Sequence, residues 1–133
     1  MPQPLKTGRS YQSQERVEEW MTAAQAGNPG VEVLSTPMLL QMIEVAAAQC
    51  VTPCLEAGQA SVGTAVDVQH IAATPVGMIV RAEAEIVTIE GRRVTFAVAA
   101  FDEREKIAEG THERVIVDRS AFLERVAEKQ APT

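Results

Sequence analysis

The amino-acid sequence predicts an α+β domain in which a curved antiparallel sheet wraps one long helix, with a short helix at the C-terminus. Three observations predict it. One long apolar stretch has helical spacing, several later stretches alternate as strands do, and turn-forming residues separate them. At 133 residues the chain reads as a single domain, residues 1–133, with residues 1–8 expected to be flexible. A chain of that length buries roughly two-thirds of the surface its unfolded form exposes, enough for one core. Aromatic residues are only 4% of the total, so Val, Ala, Ile, Leu and Met must build that core.

Residues 1 to about 35 are polar and irregular, with a strand expected near Arg9–Val17 and a helical turn around Glu18–Ala26. Gly27-Asn28-Pro29-Gly30 then supplies a turn. From Thr36 to about Leu55, the residues Leu39, Met42, Ile43, Ala46, Ala47, Cys50, Val51 and Cys54 recur at three- and four-residue intervals. Ser35 or Thr36 can cap this helix, Pro37 suits its first position, and Pro53 should end it or bend its last turn. Leu40, Val45 and Ala48 make most of its circumference apolar, which predicts a buried helix wrapped by the sheet. Strands follow at Val62–His70, Met78–Ile89, around Val94, Phe96 and Val98, and at Ile107–Val117. In the second of these, Arg81, Glu83 and Glu85 face one way, and Val80, Ala82, Ala84 and Ile86 the other. Glu90-Gly91-Arg92 is a hairpin turn, and a final amphipathic helix, capped by Asp118 or Ser120, carries Phe122, Leu123 and Val126. A long helix followed by antiparallel strands fits the hotdog fold. One such sheet leaves an edge and a face uncovered, and a second copy of the chain would cover both.

Composition narrows the function. Twelve basic against eighteen acidic residues give a net charge of −6, which argues against nucleic acid as a partner. No run approaches the roughly 20 apolar residues of a membrane span, and Met1–Tyr11 lacks the apolar core of a secretory signal, so a cytoplasmic protein is expected. Cys50 and Cys54 lie one helical turn apart with no His or third Cys at ligand spacing, which fits buried thiols better than a metal site. Neither a serine nucleophile elbow nor a glycine-rich phosphate loop is present.

Three residues could carry chemistry. Glu44 sits mid-helix between Ile43 and Val45. It is either part of a solvent-facing stripe with Gln41 and Gln49, or a desolvated base of raised pKa in an apolar cleft. His70 ends a strand where the loop Ile71-Ala72-Ala73-Thr74-Pro75 begins, as a surface residue or as a proton carrier. His112 lies within a strand, and a packing role is expected for it. Thr36 stands at a helix start, where a capping role is the ordinary one. Eight residues separate it from Glu44, which puts both on roughly one helix face about 12 Å apart along the axis.

The segment Gly63-Thr64-Ala65 through His70-Ile71-Ala72-Ala73-Thr74-Pro75-Val76-Gly77, with Glu90-Gly91-Arg92-Arg93 and Gly110-Thr111-His112-Glu113-Arg114, resembles the fluoroacetyl-CoA thioesterase-like branch of the hotdog thioesterases. The resemblance covers about Val31 to Val117. It implies an acyl-CoA thioesterase with Thr36, Glu44 and His70 as its catalytic set, and with Gly63 and Arg114 close to the substrate. It implies no separate cofactor, since coenzyme A is part of the substrate, and assembly as a homodimer or higher oligomer. The family's aromatic lid before the catalytic Thr is missing here: Gly27, Asn28, Pro29 and Gly30 fill that stretch. A short acyl group other than fluoroacetyl is therefore expected. In chemical terms the start of the helix would stabilise the oxyanion, and Glu44 would activate water or attack the carbonyl. His70 would move the proton, Thr36 would supply a hydroxyl, and Arg81, Arg92 and Arg93 are candidates for the coenzyme A phosphates. Rivals are a non-catalytic acyl-CoA binder, a structural dimer, and a hotdog hydratase or dehydratase, whose Asp-x-Asn-Pro-x-His signature is absent.

Overall fold

The computed structural model describes residues 2–130 and 132. Its elements are β1 (Ser10–Arg16), α1 (Thr36–Val51), β2 (Gln59–His70), β3 (Ile79–Glu90), β4 (Arg93–Phe101), β5 (Lys106–Asp118) and α2 (Arg119–Ala127). The strands form one antiparallel sheet in the order β1-β3-β4-β5-β2. Thus β3, β4 and β5 follow one another as a meander. β2 departs from it, because the chain crosses from β2 to the far side of the sheet before β3 begins. Both β1 and β2 are edge strands.

Helix α1 forms where its spacing predicts. Ser35 is the cap: its Oγ accepts the Met38 N–H at 3.3 Å, which leaves the Thr36 hydroxyl free, and Pro37 is the second helical residue. The helix stops at Val51, and Thr52–Cys54, with Pro53 inside, adds a single 3-10 turn. Its Leu39, Met42, Ile43, Ala46, Ala47, Cys50 and Val51 are buried against Val80, Ala82, Ala84 and Ile86 of β3 and Val94, Phe96 and Val98 of β4. Alternation on β3 is as expected, with these four inward and Arg81, Glu83 and Glu85 on the other face.

One expectation is corrected. The helix is not enclosed all round: Gln41, Glu44, Val45 and Gln49 form an exposed stripe, because one sheet covers only one side of it. Residues before Gly8 carry tertiary contacts, with Gln3 N–H donating to Pro53 O at 2.9 Å, and Leu5 packed on the core. Asp118 caps α2 through the Ala121 N–H, yet Leu123 and Val126 remain exposed.

Gly110 sits on β5 where β2 approaches closely. A methyl group there would overlap the Asp67 carbonyl oxygen and stand 2.7 Å from the Val68 Cα. Gly110→Ala is expected to lower the unfolding midpoint in urea by the equivalent of about 1–3 kcal/mol, because neither strand can yield without breaking pairing.

Candidate active site

The start of α1 and the end of β2 are stitched together by main-chain bonds. Leu34 N–H donates to Thr74 O at 2.8 Å, Ser35 N–H to Met21 O at 2.9 Å, and Val33 bridges Pro75. The loop after His70 is fixed from its other side by Thr74, whose hydroxyl donates to Asp102 Oδ2 at 2.9 Å. Burial alone would raise the Asp102 carboxyl, but the Arg104 and Glu105 N–H groups, the Thr74 hydroxyl and the Arg104 charge outweigh it and hold it low. These ties bring Thr36 Oγ1 to 2.8 Å from His70 Nδ1. Burial lowers the His70 pKa below its ordinary 6.5, against an opposing main-chain bond at Ala72. Its second nitrogen, Nε2, is buried and has no partner among the described residues. A shallow hollow of about 270 Å³ adjoins it, lined by His70, Ile71, Ala72 and Ala73.

Glu44 belongs to a second cluster. Its Oε2 lies 3.7 Å from Nη1 of Arg114, whose side chain is 8% exposed against 50% for Glu44. Arg114 is anchored on Ser61, with Nε to Oγ and Nη2 to the carbonyl oxygen, both at 3.0 Å. Burial lowers its pKa and Glu44 opposes that. Gly63 sits opposite Arg114 in the β2–β5 pairing, beside a bulge at Thr64. A Cβ on Gly63 would run into the Glu44 carboxylate, so the missing side chain makes room for that group. His112 is also here, buried, with Nδ1 2.8 Å from Ala65 O and Nε2 3.3 Å from Arg114 Nη1.

The structure therefore joins Thr36 to His70, and Glu44 to Gly63 and Arg114, but no hydrogen bond or ion pair links the two groups among the described residues. Of the two readings of Glu44, the exposed stripe with Gln41 and Gln49 holds, and the carboxylate faces a guanidinium rather than apolar walls. Two other expectations change. The helix start offers fewer oxyanion donors than expected, since Ser35 takes the Met38 N–H and Pro37 has none; Thr36 N–H donates to no described residue. Arg81 pairs with Glu83 at 3.0 Å and lies over Phe101 at the far end of the β3–β4 hairpin from Arg92 and Arg93, so the three form no single phosphate patch. The residue that sequence reasoning missed is His112. The available signal was its spacing from Arg114: two residues apart in a strand, both point inward, and a buried arginine needs partners.

Comparison with known proteins bears on this arrangement. A family model described as fluoroacetyl-CoA-specific thioesterase (FlK) matches residues 17–120. The chain belongs to this family. It is thus a thioester hydrolase, with the hotdog fold. The fluoroacetyl-CoA thioesterase of Streptantibioticus cattleyicolor is 40% identical over 98 residues, 74% of this chain and 70% of that protein. The solved structure of the fluoroacetyl-CoA thioesterase FlK superposes with a TM-score of 0.89 at 32% identity, covering 98% of this chain and all of that one, 100%. A Thermus thermophilus thioesterase superfamily member gives a TM-score of 0.87 at 29% identity, over 96% of both chains. One further neighbour, at TM-score 0.90, 32% identity and coverage of 96% of this chain and 100% of its own, is a threonine-to-serine variant of FlK in complex with acetyl-CoA.

Two measurements test the site's construction. Gly63→Ala is expected to fold but to displace the Glu44 carboxylate, lowering thioester turnover by about tenfold or more. Burial is the largest influence on both His70 and His112 and draws each below 6.5, so the native state holds them neutral. The unfolded chain then binds protons more readily. Their contribution is complete above about pH 6.5 and is lost as pH falls toward the lowered folded values. Melting temperature should decline on that acid side, with Asp102 adding its own loss only below its ordinary 3.8.

Proposed function

We propose that the protein hydrolyses a short acyl-CoA to the free acid and coenzyme A, in an active site completed by two copies of the chain. The observation that carries this reading is the division of the catalytic set into two groups spaced along one unprotected edge strand. Gly63 and His70 are seven residues apart on β2, about 23 Å at the usual strand rise. That strand has a free edge, has half of its residues exposed and none buried, and among its twelve residues has one formal charge, Asp67, with no Lys or Pro to block pairing. The opposite edge strand, β1, carries Glu15 and Arg16. Antiparallel pairing of two β2 strands about an axis between Val66 and Asp67 sets Gly63 of one chain against the partner subunit's His70. The exposed stripe of α1, with Val45, then turns toward the same seam.

In such a site Glu44 takes a proton from water as its oxygen attacks the thioester carbonyl. The tetrahedral intermediate collapses with cleavage of the carbon–sulfur bond, and the proton that Glu44 took from water is passed through His70 to the leaving thiolate, which returns the carboxylate to its ionised form and the imidazole to its neutral one. The buried, unpartnered Nε2 is the ring nitrogen left for proton transfer, and the Thr36 hydroxyl fixes the ring through Nδ1. The Thr36 N–H and the positive end of α1 are at hand for the developing oxyanion. A short acyl group fits the shallow hollow beside His70. An acetyl-CoA complex of an FlK variant supports small thioesters as the substrate class, and the lack of aromatic residues in the turn at 22–34 argues against strict selection for fluoroacetyl. A cytoplasmic setting agrees with coenzyme A as the carrier.

Thiol release from a panel of acyl-CoAs, with Glu44→Gln and His70→Ala as controls, tests the chemistry. Each single variant should be inactive. A heterodimer of the two, purified through different tags, carries one intact site in two and should recover about half of wild-type activity. An inactive heterodimer would place the whole site within one chain, and fully active single variants would remove Glu44 and His70 from the mechanism.

A further inference from the structure

We propose that His112 is a positioning residue, which holds the Arg114 guanidinium against Glu44 through its neutral, Nδ1-protonated imidazole. The inference rests on the reading of Glu44 as a catalytic carboxylate.

Hydrogen-bond direction fixes the state of the ring. A carbonyl oxygen can only accept, so at 2.8 Å from Ala65 O the Nδ1 atom must carry hydrogen and donate. Arg114 can only donate, so at 3.3 Å from its Nη1 the Nε2 atom must present its lone pair. The other tautomer would fail at both ends. A doubly protonated ring would set a second cation against the guanidinium in a site where His112 is 1% exposed. One protonation state therefore satisfies the geometry. The ring is further fixed by stacking on Phe96, with centroids 6.1 Å apart and planes at 25°.

The consequence is carried by Arg114. Ser61 holds Nε and Nη2, which leaves Nη1 to be oriented by His112 Nε2 on one side and Glu44 Oε2 on the other. A half-exposed glutamate is thereby given one rigid partner. The bulge at Thr64 aims the Ala65 carbonyl at the ring, and the Thr64 hydroxyl donates to Glu113 Oε2 at 2.7 Å. Gly63 adds the space: its missing Cβ would stand 3.3 Å from His112 Cε1 as well as in the carboxylate. Thus bulge, imidazole, guanidinium and carboxylate form one chain of contacts, and removing the acceptor at Nε2 frees its last link.

The test compares three substitutions in the full-length protein. His112→Gln offers an acceptor and a donor at about the reach of the imidazole. His112→Asn can keep the donor to Ala65 O but is too short to reach Arg114, and His112→Phe keeps only the stacking. We expect the Asn and Phe variants to lose about tenfold or more in kcat with KM little changed, and the Gln variant to recover most of it. If the Phe variant does not fold, the comparison of Asn with Gln carries the test. Wild-type kcat in the Asn variant, or equal losses in Asn and Gln, would overturn the role of His112 while Glu44→Gln stays inactive. An active Glu44→Gln would instead overturn the reading of the carboxylate itself.

Discussion

The site depends on burying one positive charge. A guanidinium on a side chain that is 8% exposed, inside a small, mostly aliphatic sheet, gives up most of its hydration, and the cost is tolerable only where its N–H groups find acceptors. Arg114 finds them in Ser61, in His112 and in the Glu44 carboxylate. Each partner imposes a further condition. Ser61 requires the extended path of β2, His112 requires the Ala65 carbonyl that the bulge turns toward it, and Glu44 requires a glycine at 63. Local backbone irregularity and side-chain chemistry are here the same feature.

Sheet topology decides what those side chains can reach. Since β2 lies at the far edge, its whole length stands open to pairing, and the groups at Gly63 and His70 are fixed seven residues apart on one strand. Helix α1 runs beside it with Thr36 near the His70 end and Glu44 near Gly63. Neither group is moved by the flexibility of a loop. Thr36 and His70 are held by the main-chain ties among Leu34, Ser35, Met21 and Thr74, and Glu44 by a helix whose other face is packed into the core. Side-chain geometry on regular elements of this kind is reproducible because the core that sets it is close-packed.

Much of this was legible in the sequence, for identifiable reasons. The periodicity of Leu39, Met42, Ile43, Ala46 and Ala47 is a direct imprint of one-sided burial, so α1 could be placed within a few residues. The alternation of Val80, Ala82, Ala84 and Ile86 fixed the inward face of β3 in the same way. What periodicity cannot carry is pairing between distant segments. The crossover of β2, and the contact of Thr36 with a histidine 34 residues away, arise from main-chain bonds that leave no local pattern. The resemblance to known thioesterases supplied the set of residues but not their division into two groups. Glu44 was read as either exposed or desolvated; the exposed reading holds, and what it left out is the buried cation that the carboxylate faces. His112 was assigned to packing because its strand position is an ordinary inward one. Its polar role depends on the bulge across the pair, which nothing in its own neighbours reveals.

The turn from Thr22 to Leu34 has a separate consequence. It is closed at its base by the Thr22–Leu34 bridge and by the bonds Ala23 N–H to Val33 O and Ala24 N–H to Val31 O, at 2.8 and 2.7 Å. Beyond that base, residues 25–32 are largely solvated and contribute nothing to the core. Such a segment is a replaceable module: its length and composition can drift without disturbing the scaffold that aligns Thr36. The turn and the sheet beneath it can therefore change at different rates.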